Sequence, residues 1–199
     1  LDMGWAVGRS SFELAKHFQH VDALDYSSGF IDAAKKLQQS GTIQYKIPTE
    51  GQLSTDCQTS LESLIGSTIA NRVTFQTGDA CNLLDEMNNY DLVFAGNLID
   101  RLYQPQLFLD SITQRIRAGG WLVITSPYTW LEDYTPPSYW LGGYIDNTGI
   151  PIDTFTGLSK ALHPHFKLGC REDIPFVIRE TGRKHQHTIA ELTAWHRVE

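Results

Sequence analysis

Apolar residues recur along the 199-residue chain in two alternating rhythms. After the segment Gly4-Trp5-Ala6-Val7-Gly8, residues Phe12, Leu14, Ala15 and Phe18 fall at helical spacing and predict a helix from Arg9 to His20. Val21 to Leu24 is a short apolar run of the kind a buried strand carries, and Ser27-Ser28 offers a cap for a helix from about Phe30 to Leu37. The rhythm fails between Gln38 and Asn71, a polar stretch broken by Gly41, Pro48 and Gly51. It reads as an insertion holding a short strand at Thr42 to Ile47 and a helix around Leu61 to Ile65. Regularity returns with a third strand at Val73 to Gln76, a helical segment to Met87 and a fourth strand at Tyr90 to Ala95. Leu107, Phe108, Ile112 and Ile116 mark a helix over Gln104 to Ile116, stopped by Ala118-Gly119-Gly120. Trp121 to Thr125 then reads as a fifth strand, apolar enough to be buried on both faces.

Strands alternating with helices predict an α/β fold with parallel strands and helices on both faces. The last third changes character. Ser126 to Gly149 is loop-like, with Pro127, Pro136 and Pro137, and seven aromatics lie between Trp121 and Tyr144. Asp153 is placed to cap a helix through Leu162, and Ile174 to Arg179 and His187 to His196 read as two strands joined by Glu180-Thr181-Gly182-Arg183. The whole, residues 1–199, is expected to be one domain with insertions at about 40–71 and 126–160. Only Leu1 precedes the acid Asp2 where a first strand normally supplies several apolar residues. The chain is therefore expected to begin inside that strand, with further residues upstream.

Charge narrows the functional classes. Sixteen basic residues against 23 acidic ones give a net charge of −7, and the one basic stretch, Arg183-Lys184-His185, is short. Phosphate backbones are held by Lys/Arg clusters, so no nucleic-acid partner is expected and a small-molecule substrate fits better. Cys57, Cys81 and Cys170 are scattered and odd in number, as reduced thiols of a cytoplasmic protein would be. No run of 18 apolar residues occurs, so no membrane partner is expected. The pairs His17/His20, His163/His165 and His185/His187 lack nearby thiols or convergent acids, and no metal is assigned. No Gly-x-Ser-x-Gly elbow marks a hydrolase.

The chemistry lies at the first turn. A dinucleotide fingerprint wants G-x-G-x-x-G, but Ala6 stands at its second glycine and Arg9 at its third; Gly8-Arg9-Ser10 lacks the lysine of a P-loop. Turn glycines and single loop acids are ordinary scaffolding. Here, however, acids follow three consecutive predicted strands, Asp2, Asp25 and Asp79, and together they mark the ligand crevice at the carboxyl edge of an open parallel sheet. The pattern Asp2-x-Gly4-x-Ala6-x-Gly8 resembles the first motif of the Rossmann-like class I S-adenosylmethionine-dependent methyltransferases. That resemblance implies a mostly parallel seven-stranded sheet with an antiparallel final strand. It also implies S-adenosylmethionine as cofactor and S-adenosylhomocysteine as product. Asp2, Gly4, Ala6 and Gly8 would then hold the methionine end, Asp25 with Tyr26 and Ser27 the ribose, Asp79 with Ala80 the adenine, and Asn97 a contact after the fourth strand.

Three further stretches narrow the resemblance. Gly4-Trp-Ala-Val-Gly-Arg-Ser-Ser-Phe-Glu13, Gly96-Asn-Leu-Ile-Asp-Arg-Leu102, and Ser126-Pro-Tyr-Thr-Trp-Leu-Glu-Asp-Tyr134 with Trp140-Leu-Gly-Gly143 are similar to the methyltransferase of ovothiol biosynthesis. In that family the 4-mercaptohistidine methyltransferase is the carboxyl-terminal part of the 5-histidylcysteine sulfoxide synthase or a stand-alone enzyme. Phe176-Val-Ile-Arg-Glu-Thr181 extends the similarity towards the end of the chain, while Trp5 departs from the small residue or cysteine of many class members. The family implies N-methylation of the imidazole ring of 5-thiohistidine, with a fused or separate sulfoxide synthase as partner. Tyr128, Trp130, Tyr134 and Trp140 are then expected to wall the acceptor, with Glu132 or Asp133 as a ring partner. Arg101 or Arg179 would face its carboxylate, and Glu180 or Asp100 its ammonium. Two alternatives share the cofactor motif: a class I methyltransferase for another small acceptor, and a cofactor-binding domain without catalysis.

Overall fold

A computed structural model describes residues 1–65 and 67–198. Strand β1 (Asp2–Met3) enters the glycine turn and α1 (Arg9–Leu14). The helix ends six residues before the expected His20. Strand β2 (Val21–Asp25) leads to α2 (Ser28–Ser40), where the Ser27 hydroxyl accepts from the Phe30 amide and Gly41, at φ 71°, closes the other end. The polar stretch beyond is a hairpin of β3 (Thr42–Glu50) and β4 (Leu53–Ser60), followed by single helical turns α3 (Leu61–Leu64) and α4 (Ser67–Ala70). Leu53–Ser60 carries no apolar alternation, so its strand character left no periodic trace.

After β5 (Val73–Thr77) the expected helix to Met87 is absent, and the chain turns instead. Asp79 binds the Cys81 amide, and Arg115 takes the Leu83 and Asp85 carbonyls at 3.2 and 3.1 Å, diverting groups that a helix would pair internally. Strand β6 (Tyr90–Gly96) is followed by α5 (Pro105–Arg115), with proline at its first position, and β7 (Ile116–Ser126). β7 thus begins five residues earlier than expected, across a register shift opposite Tyr90 and Leu92. The aromatic insertion holds a short pair, β8 (Tyr144–Ile145) and β9 (Pro151–Ile152). Asp153 caps α6 (Thr154–Leu162) through the Thr156 amide, and the chain ends with β10 (Phe166–Arg179) and β11 (His185–Arg197), both longer than expected.

Seven strands form one sheet in the order β10-β11-β7-β6-β1-β2-β5. All pairings among β7, β6, β1, β2 and β5 are parallel, and β11 runs antiparallel to both β7 and β10. This is the expected sheet with its antiparallel final strand. One core cluster centres on Val93, Ile99, Phe108, Ile112, Leu122 and Leu158, beneath α5 and α6. The second joins Trp5, Phe12, Ile31, Leu37 and Phe75, beneath α1 and α2, so helices cover both faces. Each fully buried Phe or Leu contributes roughly 1.5–3 kcal/mol. Among the described residues no helix is long and apolar enough to cross a membrane.

Two features shape the carboxyl edge. Glu191 pairs with Ser126 at the end of β7, and the β10–β11 hairpin continues six residues further to His185, about 20 Å at ordinary strand rise. Its tip meets the β3–β4 hairpin, where the Gly182 amide donates to the Pro48 carbonyl at 3.2 Å, so hairpins from opposite sides of the sheet touch. The aromatic insertion is pressed onto α6. A Cβ on Gly157 would lie 1.7 Å from the Leu141 carbonyl oxygen, and one on Gly142 would lie 2.2 Å from the Asp153 backbone.

Candidate active site

The strand order reverses at β1, and a crevice opens there at the carboxyl ends of the strands. Asp2 is fully buried at the end of β1. One carboxylate oxygen accepts from the Ser10 and Ser11 hydroxyls at 2.7 and 2.6 Å, tying the strand to the first turn of α1. The other oxygen has no partner. Burial pushes the Asp2 carboxyl above the usual carboxylate range, partly offset by the two serine hydroxyls. A raised folded-state pKa gives a contribution that is present at low pH and lost as pH rises through the folded value. Asp2→Asn keeps an acceptor for the serines and removes the charge. Its Tm relative to wild type should therefore rise between about pH 4 and about pH 8; a difference that stays flat by scanning calorimetry would refute the buried charge.

The turn beyond Asp2 leaves little room for a side chain at its two glycines. Gly4 and Gly8 take φ values of 71° and 92°; a Cβ would lie 2.9 Å from Leu98 at Gly4 and 3.1 Å from the Phe75 ring at Gly8. Ala6 also has positive φ, 52°. Its amide donates to one Asp25 oxygen at 3.1 Å while the Ser27 amide donates to the other at 2.9 Å, so Asp25 links the turn to the start of α2. Positive φ recurs at Asn97 (51°) and Tyr128 (52°), beyond β6 and β7. Three left-handed non-glycine residues along one sheet edge mark backbone strain where functional sites store it.

A cleft of about 580 Å³ is lined by residues that include Gly4, Asp25, Tyr26, Asp79, Leu98 and Asp133. Ser27 and Ala80 line it as well. Its volume suits a cofactor-sized ligand. Tyr26 stands 83% exposed at the rim. Asp79 accepts from the Cys81 amide at 2.8 Å and the Tyr103 hydroxyl at 3.0 Å, and that carboxylate pushes the Tyr103 phenol up to about 12. The Asn97 amide donates to the Thr125 carbonyl at 2.7 Å, bracing the ends of β6 and β7. Asp100 is buried and accepts from Arg101 and from the Thr129 amide and hydroxyl, fastening the loop after β6 to that after β7. Arg101 also lies over the Tyr134 ring, 5.1 Å from its centroid.

The expected acceptor residues divide. Asp133 and Tyr134 line the cleft. The Trp130 indole donates to the Thr154 hydroxyl at 2.9 Å and stacks on Trp140 at 6.3 Å, which makes these two rings the insertion's own packing against α6. Tyr128 reaches sideways and donates to Glu191 of β11 at 2.9 Å. Arg179 sits at the far end of β10, bonded to the Thr181 carbonyl, and is not brought to the cleft. Sequence reasoning missed Ser10, Ser11 and Leu98, which hold and back the turn. It also missed Tyr103, which covers Asp79, and Glu191 with Arg171. The hydroxyls one helical turn past Gly8 were a visible signal; Glu191 had none, because only strand pairing brings it to Tyr128. Among the described residues no group of three or more His, Cys, Asp or Glu side chains is arranged to hold a metal ion.

A family described as a methyltransferase domain matches residues 1–124. No curated protein matches the chain. Similar solved structures include the N-methyltransferase NodS from Bradyrhizobium japonicum WM9 in complex with S-adenosyl-L-homocysteine, at TM-score 0.60 and 14% identity, covering 100% of this chain and 76% of that one. A S-adenosylmethionine-dependent methyltransferase from Methanosarcina mazei aligns at TM-score 0.61 and 14% identity, covering 99% and 91%. The [4+2]-cyclase SpnF aligns at 0.62 and 16%, covering 100% and 75%, so the fold also carries other chemistry. With a family match across more than half its length, the chain belongs to the methyltransferase-domain family and is an S-adenosylmethionine-dependent methyltransferase.

Proposed function

We propose that this enzyme N-methylates the imidazole ring of 5-thiohistidine to give ovothiol, acting as one domain over residues 1–199. The residues of the crevice fit the cofactor. Gly4 lines the cleft without a side chain, and the unpartnered oxygen of the buried Asp2 would be an acceptor for an ammonium group. Asp25 has lone pairs left on both oxygens for two ribose hydroxyls, and Asp79 with Ala80 offers an acceptor and an apolar surface for the adenine. When bound, S-adenosylmethionine supplies an electrophilic methyl group on its sulfonium.

The observation that carries the acceptor reading is the Ser126-Pro-Tyr-Thr-Trp loop. It leaves the end of β7 beside the cleft, with Tyr128 in a left-handed conformation and Thr129 clamped to the Asp100–Arg101 pair. A thiolate is a stronger nucleophile than an imidazole nitrogen, so the site must fix the ring's orientation; a rigid aromatic loop held by a buried carboxylate serves that need. Asp133 faces the same cleft and is the nearer candidate for a ring partner. The free thiols of Cys57, Cys81 and Cys170 suit a cytoplasmic setting, and a sulfoxide synthase, fused or separate, would supply the precursor.

Mass spectrometry of the reaction with S-adenosylmethionine and 5-thiohistidine, with histidine in parallel, tests the proposal. The expected product carries one added methyl on a ring nitrogen of thiohistidine, with histidine unchanged. Intact cofactor binding without methylated thiohistidine would sink the ovothiol reading and point to another small acceptor.

A further inference from the structure

Tyr128, two residues past the carboxyl end of β7, Glu191 of β11 and Arg171 of β10 form a chain of contacts. The Tyr128 hydroxyl donates to one Glu191 oxygen at 2.9 Å. The other Glu191 oxygen accepts from Arg171 at 2.7 and 2.8 Å, and the Arg171 guanidinium lies 3.7 Å from the centroid of the Phe155 ring. Glu191 is largely buried, at 15% side-chain exposure. Cross-strand register fixes the unit: Glu191 pairs with Ser126, whose hydroxyl accepts from the Tyr128 amide at 2.9 Å. Burial and the Glu191 carboxylate push the phenol far above its ordinary range, so it stays protonated and cannot act as a base.

With its single proton committed to Glu191, the Tyr128 oxygen has only lone pairs left to offer. Asp2, Asp25 and Asp79 mark the β1–β2–β5 half of the edge for the cofactor, which leaves the β6–β7–β11 half for the acceptor. We propose that the Arg171–Glu191–Tyr128 unit orients the acceptor by presenting the Tyr128 oxygen to a ring N–H, selecting N–H heterocycles and one tautomer of the ring. This assignment rests on the thiohistidine reading. The N–H donor of the imidazole binds Tyr128, and its other nitrogen, which carries the lone pair, is turned to the methyl group. That lone pair forms the new N–C bond while the C–S bond breaks and its electrons stay on sulfur. The positive charge passes to the ring, beside Glu191, and the N–H proton is later released to solvent. Tyr128 is the catalytic contact; Glu191 and Arg171 are positioning residues acting through it.

Tyr128→Phe and Glu191→Gln, with wild type in parallel, test this by kinetics, product analysis and cofactor titration. Tyr128→Phe removes the acceptor oxygen. Glu191→Gln lets the new amide donate to Tyr128, turning the phenolic proton towards the acceptor. Both variants should lose about a hundredfold in kcat/KM for N-methylation, the order that misplacement of a reacting group produces. Cofactor affinity should hold within about twofold, since the hydrogen bonds of Asp25 and Asp79 involve neither side chain. The S-methyl product or the second ring isomer should rise, which a merely structural role would not cause. Wild-type N-methylation with unchanged rate and product ratio in both variants overturns the orienting role while leaving the function standing. A lowered melting temperature with an unchanged product ratio also overturns it. Absence of thiohistidine methylation by wild type overturns the function and this assignment together.

Discussion

Asp25→Ala should abolish useful cofactor binding while leaving the protein folded. In the proposed site both ribose hydroxyls donate to this carboxylate, which already receives the Ala6 and Ser27 amides. Hydrogen bonds to a charged group contribute roughly 1.5–3 kcal/mol each. Losing two weakens binding about a hundredfold or more, at about 1.4 kcal/mol per tenfold. A second loss adds to this: without the Asp25 acceptor, the left-handed Ala6 peptide loses its hydrogen bond towards the start of α2, and the turn is less preorganised. Asp25 is only partly buried, so the melting temperature should move by a few degrees at most. Titration calorimetry with S-adenosylhomocysteine decides. A Kd within about fivefold of wild type would show that the ribose is held elsewhere. Asp25→Asn should fall between the two, because the amide retains one acceptor for two hydroxyls.

Local signals pointed to the proposed cofactor half and said little of the rest, for a physical reason. Asp2, Gly4, Gly8, Asp25 and Asp79 lie at strand ends whose apolar runs are short and sharply bounded, so strand periodicity and turn chemistry located them together. Alternating strands and helices predicted the parallel sheet, while its strand order comes from the structure. The proposed acceptor half depends on pairings distant in sequence. Glu191 and Tyr128 are 63 positions apart, and Asp100 meets Thr129 across 29. No window of local pattern contains such pairs. The helix expected before Met87 failed because Arg115, 30 positions away from Asp85, takes carbonyls that a helix would use. Arg179 drew attention as a cation near the chain's end. It belongs to a hairpin that outruns the sheet, and hairpin length is a matter of register rather than composition.

Gly157→Val should cause the largest stability loss of any single change in the insertion and separate the two halves of the site. The backbone of the aromatic loop runs directly against α6 at this point: even an alanine Cβ would stand 1.7 Å from the Leu141 carbonyl oxygen. A backbone atom cannot rotate away as a flexible side chain can. Either Leu141 moves, unseating the neighbouring Trp130–Thr154 hydrogen bond, or α6 shifts against the buried Leu158 and Leu162. Overpacking of a rigid site costs about 1–3 kcal/mol and sometimes more; at roughly 2–4 °C per kcal/mol for a domain of this size, Tm should fall by roughly 2–12 °C. The damage is confined to the side of β6, β7 and β11. Asp2, Asp25 and Asp79 belong to the β1–β2–β5 half of the sheet, whereas α6 packs on α5 and β10, so the surviving folded protein should bind S-adenosylhomocysteine nearly as wild type does, while acceptor turnover collapses. Calorimetry and a turnover assay below the lowered Tm distinguish the outcomes. Wild-type melting would mean that the contact yields more easily than its geometry implies. Equal loss of cofactor binding and turnover would mean that the insertion and the crevice form one mechanical unit.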